Sequence, residues 1–323
     1  MLPSNRPGRA PPTCTRCGRR PSIYYRPYSG ERLCSPCLKE SIKERVQRTI
    51  SRFEMFEYNS RIAVGVSGGK DSLNLLHILY EIEADYPEAE LIAISIDEGI
   101  SGYRDEAIEH ARKACRTLGV EHLVLSFKEL FGFTLDEVVE RTGGGGLKPC
   151  SYCGVLRRRA LNLAALRVEA DRLATAHTLD DMAQTALLNL MRGDTRLLAS
   201  SHPSGKSLRG FIRRVKPYCE VPERESALLA YLKGIEFQSI PCPYAEEGMR
   251  SDIRRFLNRM EAKRPGTLYI IYRASLELAS SLGVGAEQIG VCSRCGEPTS
   301  GSLCRVCQLL MEIGITDKRG GAQ

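Results

Sequence analysis

A β-branched run, Arg61 to Val66, ends in Ser67-Gly68-Gly69-Lys70-Asp71-Ser72 and passes at once into the apolar periodicity of Leu73, Leu75, Leu76, Ile78 and Leu79. That order reads as strand, glycine turn, helix. Further strand-like runs at Leu91 to Ile96, His122 to Phe127 and Arg172 to Ala176 alternate with helical stretches at Glu106 to Leu118 and Leu156 to Ala170. Such alternation predicts an α/β domain: a parallel sheet with helices on both faces. In these folds the ligand lies at the carboxyl ends of the strands, where the loop after the first strand turns backbone N–H groups at a helix N-terminus toward an anion. Ser67 to Ser72 occupies that place. Gly68 and Gly69 permit close backbone approach, Ser67 and Ser72 offer hydroxyls, Lys70 offers charge, and Asp71 is suited to hold magnesium or cap the helix. The G-x-x-x-x-G-K-[ST] spacing of a Walker loop is absent.

The ends of the chain are organised by cysteine. Thirteen cysteines, an odd number in a chain whose first twelve residues show no signal-peptide pattern, point to ligation and not to a disulfide framework. Cys14/Cys17 and Cys34/Cys37 are C-x2-C pairs sixteen residues apart, and Cys292/Cys295 and Cys304/Cys307 repeat the pattern with eight residues between. Both sets predict four-thiolate zinc ribbons, closed sites that fold modules too small to bury a core. The expected organisation is a ribbon over 1–40, a nucleotide-binding domain over 41–285 and a second ribbon over 286–323. A charged helical segment, Glu40 to Glu57, precedes the first strand of the central domain.

Composition adds two constraints. The 46 Lys+Arg against 39 Asp+Glu give a net charge of +7, a mild bias toward polyanions. No apolar stretch approaches the roughly 18 residues of a membrane span, so a cytoplasmic location without membrane contact is expected. Basic stretches at Arg157 to Arg159, Lys206 to Lys216 and Arg250 to Arg255 are candidate contacts to nucleic-acid phosphates.

The six-residue string Ser67 to Ser72, both ribbons, Cys150-Ser-Tyr-Cys153-Gly154 and the late Cys242 together resemble the PP-loop ATP pyrophosphatases, and among them the tRNA 2-thiolation proteins of archaea and eukaryotes and the similar TtuA proteins. The resemblance implies the adenine nucleotide alpha-hydrolase-like fold, ATP cleaved between its α and β phosphates, and AMP passed to the C2 oxygen of a tRNA uridine. It implies that Val66, Ser67, Gly68, Gly69, Lys70, Asp71 and Ser72, with Asp97 and His177, bind the nucleotide with Mg2+. It further implies that Cys150, Cys153 and Cys242 hold a [4Fe-4S] cluster. Three thiolates leave one iron open, as three-ligand metal sites keep a position for substrate. The alternative is a redox pair, Cys150 and Cys153, resolved by Cys242. Cys115 and Cys219 read as small packing residues.

In Ala174-Thr-Ala-His177-Thr-Leu-Asp180-Asp181 the family pattern assigns His177 to the nucleotide and Asp181 to catalysis, while Ala176 and Thr178 depart from it. Both acids could also simply cap a helix. Arg157 stands where relatives often carry lysine, and because arginine keeps its proton it is assigned electrostatic stabilisation. Phe133 to Val139 and Cys153 to Arg158 look more like the wobble-uridine enzymes than the T-loop ones. The expected partners are tRNA, a ubiquitin-like sulfur carrier, and a second copy or related subunit. Other readings are T-loop thiolation, a PP-loop synthetase acting on a small molecule, and a zinc-ribbon RNA adaptor without catalysis.

Overall fold

The computed structural model describes residues 12–143, 147–199, 202–205, 210–245, 248–282 and 290–314. Most of the glycine run before Cys150 and the start of the basic stretch at Lys206 lie outside them. Strands β1 (Tyr24–Arg26) and β2 (Glu31–Leu33) form a hairpin that sets the Cys14/Cys17 loop beside Cys34/Cys37. Helix α1 (Ser35–Arg52) begins earlier than the charge pattern implied, with Pro36 in its first turn, where a missing N–H costs no hydrogen bond. Its buried Leu38, Ile42 and Val46 join Cys14, Leu33, Cys34, Val64 and Leu73 in one apolar cluster, so the hairpin shares the core of the domain that follows.

That domain runs β3 (Arg61–Gly65), α2 (Lys70–Glu83), β4 (Glu90–Asp97), α3 (Arg104–Leu118), β5 (Glu121–Ser126), α4 (Phe127–Phe131), α5 (Leu135–Thr142), α6 (Pro149–Arg167), β6 (Arg172–Ala174), α7 (Leu179–Met191), α8 (Thr195–Ala199), β7 (Arg213–Val215), α9 (Glu223–Lys233), α10 (Met249–Lys263) and α11 (Thr267–Ser281). The five strands are parallel in the order β5-β4-β3-β6-β7. Six consecutive residues of β4 are buried, the continuous apolar strand of a sheet covered on both sides. Residues of α1, α2, α3 and α9 cover one face and residues of α4, α5 and α6 the other. A third apolar cluster joins α7, α10 and α11. The chain builds outward from β3 to β5, then crosses to the other side of β3 for β6 and β7. The order therefore reverses between β3 and β6, the point at the carboxyl ends of the strands where folds of this kind place their ligand crevice.

Strands β8 (Gly290–Val291) and β9 (Pro298–Thr299) and helix α12 (Arg305–Glu312) form the last module. Leu309 of α12 is buried against the α6 side of the sheet, and Arg159 of α6 pairs with Glu297. The first module is held more firmly. Arg26 and Glu225, both almost wholly buried, meet at 2.8 Å, and Tyr28 and Arg45 also donate to Glu225. Removing one partner of such a buried pair typically costs 3–5 kcal/mol, roughly, because a charge is left uncompensated.

Candidate active site

The Ser67–Ser72 loop is built by its own hydroxyls. Ser72 Oγ accepts from the Ser67 N–H at 3.1 Å and donates to the Gly69 carbonyl at 2.9 Å, folding the loop over the first turn of α2. Gly68 sits at φ +81°, and a Cβ there would lie 2.1 Å from the Ala107 carbonyl oxygen of α3. Val66 is buried, its N–H donating to Ile94. Lys70 Nζ is held at 3.0 Å by both Asp71 and Glu223. Burial alone would lower its pKa, but the two carboxylates hold it above the ordinary lysine value. Asp71 also accepts from Ser226 Oγ at 2.6 Å, and burial raises its pKa against the pull of Lys70. Asp97, at the end of β4, accepts from the Gly99 N–H.

Across the switch point lie the residues after β6. His177 pairs through Nδ1 with Thr175 Oγ1 at 2.9 Å. The residue is exposed, yet desolvation by the protein atoms around the ring, followed by the Lys216 charge, pushes its pKa down to about 4. It is neutral at physiological pH. Asp181 closes a capping box with Thr178 through Oδ2, while its Oδ1 faces Arg250 at 3.4 Å. Asp180 is buried and accepts from the Glu223 N–H at 2.7 Å, and burial followed by the Glu223 and Asp181 charges raises its pKa to about 6.

The sign of that shift makes a prediction. Between pH 3.8 and about 6 the folded chain keeps a proton that the unfolded chain has released, so stability falls as pH rises through this window and the loss persists above it. Asp180→Asn keeps an acceptor for Glu223 and removes the charge. It is expected to be more stable than the parent by up to about 3 kcal/mol at pH 8, the gap closing toward pH 4. Urea unfolding at several pH values reads this, and a gap that does not depend on pH would refute it.

The cysteines fall into two geometries. Cys14, Cys17, Cys34 and Cys37, and likewise Cys292, Cys295, Cys304 and Cys307, each bring four sulfurs within 4.8 Å of one another. The Cys17–Cys34 and Cys295–Cys304 separations are 3.8 and 3.6 Å. A tetrahedral ion with Zn–S bonds of about 2.3 Å sets its sulfurs roughly 3.8 Å apart, so both groups fit zinc.

Cys150, Cys153 and Cys242 form no such tight set among the described residues. Helix α6 starts at Pro149, so Cys150 and Cys153 lie in its first turns and not in a loop ahead of it. Cys150 is exposed, its sulfur 3.3 Å from the Tyr244 carbonyl, and Tyr244 donates to Asp136 at 2.7 Å, which ties the Cys242 loop to α5 and α6. Cys153 is buried, and it and Arg157 both lie within the electrostatic reach of Cys242. The three thiols thus share one locale with a spread too wide for a single small ion, as a larger inorganic group requires.

Two residues that the sequence reading did not single out join the halves of the crevice. Arg104 of α3 donates to the carbonyls of Ser67 at 3.1 Å and Ile96 at 2.6 Å, and its Nε lies 2.6 Å from Glu98. Glu98 follows Asp97 directly, is almost wholly buried, and pairs with Arg157 Nε at 2.8 Å. Arg157 in turn donates to Cys153 Sγ at 2.9 Å. The only sequence signal was an acidic pair at the end of a buried strand.

Comparison with known proteins places the chain in a family. The sequence model of the PP-loop domain matches residues 38–261, and that of the N-terminal LIM domain of the 2-thiouridine synthetase TtuA matches residues 13–39. The tRNA 2-thiolation protein NcsA of Haloferax volcanii is 36% identical over 318 residues, covering 93% of this chain and 98% of that protein. The chain belongs to the PP-loop tRNA 2-thiolation family. Another member, cytoplasmic tRNA 2-thiolation protein 1 of Chlamydomonas reinhardtii, is 36% identical over 96% of this chain and 89% of its own length. The solved structure of the family's U34-tRNA thiolase NcsA from Methanococcus maripaludis, with its [4Fe-4S] cluster, superposes with a TM-score of 0.84 at 36% identity, covering 95% of this chain and 98% of that one. Membership in this family of thiolases and sulfurtransferases makes the chain an enzyme. Among the described residues no helix is long and apolar enough to cross a membrane.

Proposed function

We propose that this chain is an ATP-dependent tRNA thiolase that replaces the C2 oxygen of the wobble uridine by sulfur. The observation that supports the proposal is the polar chain Ser67–Arg104–Glu98–Arg157–Cys153, which joins the Ser67–Ser72 loop to the cysteine pair of α6. The names and titles of the relatives, 2-thiolation proteins and a U34-tRNA thiolase, support the same reading.

In this scheme the free N–H groups at the start of α2 receive the phosphates of ATP. Lys70 exchanges Asp71 and Glu223 for phosphate oxygens, which leaves Asp71 to hold Mg2+ together with those oxygens, a cation that commonly takes one or two carboxylates and the substrate phosphates. The uridine oxygen attacks the α-phosphate and pyrophosphate departs. Neutral His177 holds the nucleotide by hydrogen bonding without adding charge. Asp181, whose Oδ1 is left free by the helix cap, positions the base or takes its proton as sulfur adds and AMP leaves. Cys150, Cys153 and Cys242 would hold a [4Fe-4S] cluster, which would offer an iron without a protein ligand and so a place for sulfide. Arg157 keeps its proton there, since a guanidinium is always charged and Glu98 at 2.8 Å favours that charge.

Arg157, Arg158, Arg214, Lys216 and Arg250 border the crevice and suit the tRNA phosphates. The three-part organisation, two zinc ribbons at 1–40 and 286–323 around the catalytic domain, belongs to the same proposal, as do a cytoplasmic location, a ubiquitin-like sulfur carrier, and a partner copy or related subunit.

The test is anaerobic: protein reconstituted with iron and sulfide, ATP-magnesium and unmodified tRNA, then digestion and mass mapping of an oxygen-to-sulfur shift. A shift in the anticodon fragment is expected. A T-loop shift would transfer the chain to the TtuA-type reaction, and ATP turnover that ignores tRNA would favour a small-molecule synthetase.

Zinc removal tests the two ribbons separately. Because Cys14 and Cys34 belong to the main core, Cys34→Ser is expected to lower the melting temperature of the whole chain. Cys304→Ser is expected to loosen only the last module and leave the main transition in place. Melting followed by circular dichroism, with limited proteolysis to locate the loosened segment, checks both, and an unchanged melting curve in Cys34→Ser would contradict the shared core.

A further inference from the structure

We infer that Glu98 is a positioning residue that fixes Arg157 against the Cys153 sulfur and ties that site to the Ser67–Ser72 loop through Arg104. The inference rests on the proposed thiolase reading and adds a residue to it. Glu98 has only 3% of its surface exposed, and burying a carboxylate is costly unless partners offset its desolvation. It has two guanidiniums, Arg157 on one oxygen and Arg104 on the other, the second a close ion pair without hydrogen-bond geometry. Their situations differ. Arg104 is buried and held independently by the Ser67 and Ile96 carbonyls. The Arg157 side chain is 49% exposed, and within hydrogen-bonding distance it has Glu98 and the sulfur of Cys153, one helical turn earlier on α6.

The charge balance follows from these contacts. Without Glu98 the two guanidiniums would face each other across a neutral gap, and the one with a route to water would take it. Arg157 would then leave Cys153, while Arg104 would stay on the nucleotide loop. Glu98 therefore acts on the thiolate site through Arg157, and its own negative charge has the opposite electrical effect on that site from the cation it holds there. This opposition separates positioning from a through-space effect.

The experiment uses Glu98→Gln, which keeps shape, together with Arg157→Gln, the double variant and Glu98→Asp. The first readout is the crystal structure of the metal-free Glu98→Gln protein, in which Arg157 is expected beyond hydrogen-bonding distance of Cys153 Sγ. Finding it still bonded there overturns the inference. The second is the midpoint potential of the anaerobically reconstituted proteins, since charge and hydrogen bonds at the cluster sulfurs set that potential. Removing a cation disfavours the reduced form, so Arg157→Gln is expected to lower the potential. Glu98→Gln is expected to lower it too, the double variant to fall no further, and Glu98→Asp to recover most of the parent value. A rise in Glu98→Gln, or additive shifts, would mean that Glu98 acts by its own charge and would overturn the inference. If the parent protein forms no cluster absorbance on reconstitution, the thiolase reading has failed on its own, and the metal-free structure still decides the role of Glu98.

Discussion

Gly68→Ala is expected to abolish ATP-dependent activity and to destabilise the fold. At φ +81° a side chain is strained by its own backbone, and here the added carbon would also lie 2.1 Å from the Ala107 carbonyl oxygen, a backbone atom of a packed helix. Left-handed strain of about 1–3 kcal/mol and an overpacking cost of about 1–3 kcal/mol together predict a loss of about 2–6 kcal/mol. Relief would require the loop to lift from α3, which breaks the Ser67–Ser72 hydrogen bonds that aim its N–H groups. Gly69→Ala is the control. Its φ is −86°, and the nearest atom to an added Cβ is Ser67 Oγ at 3.5 Å, an ordinary contact. Chemical denaturation and ATP titration of the pair should show a large loss at 68 and little change in stability at 69. Equal stability of the two would mean that α3 does not clamp the loop.

What was legible in the sequence was what is contiguous in it. The Ser67 to Ser72 loop closes through hydrogen bonds between residues no more than five apart, and each ribbon couples pairs along a short segment, so spacing carried the chemistry. Strands β3 and β4 were visible because their burial on both faces demands unbroken apolar runs, whereas β7 (Arg213–Val215) was missed because it lies in a stretch read as basic.

The pairings within the site were not legible, because the partners are distant in sequence. Glu98 meets Arg157, Asp71 meets Ser226, and Asp180 meets the backbone of Glu223; no local pattern announces such pairs. The start of α6 was missed for another reason. Glycines next to a cysteine pair read as loop, yet Pro149 was itself a start signal, since proline is favoured in the first turn of a helix. Asp181 shows the limit of motif transfer: its capping bond to Thr178 is plain in the structure, while any role in chemistry rests on the oxygen that the cap leaves over.

Cys242→Ala is expected to abolish thiolation while leaving ATP affinity within about twofold, and Cys150→Ala and Cys153→Ala should behave alike. Loss of an outer-shell partner of a metal typically costs 10–100-fold in affinity or activity, so loss of a ligand should cost at least about 100-fold. Structural damage would not explain it. Cys242 is only partly buried and lies between Pro241 and Pro243, whose rings fix the local backbone whatever side chain stands between them. Cys115→Ala and Cys219→Ala supply the contrast. Both thiols are buried, with burial pushing their pKa up to about 11 and about 12, and Cys219 bonds to the Tyr272 hydroxyl away from the crevice. These two are expected to lose stability and to keep thiolation per folded molecule. The measurements are iron and sulfide content, ATP titration and tRNA mass mapping on all five proteins. Retained thiolation in Cys242→Ala would return the chemistry to the Cys150/Cys153 pair alone, and with it a persulfide or disulfide route that needs no third ligand.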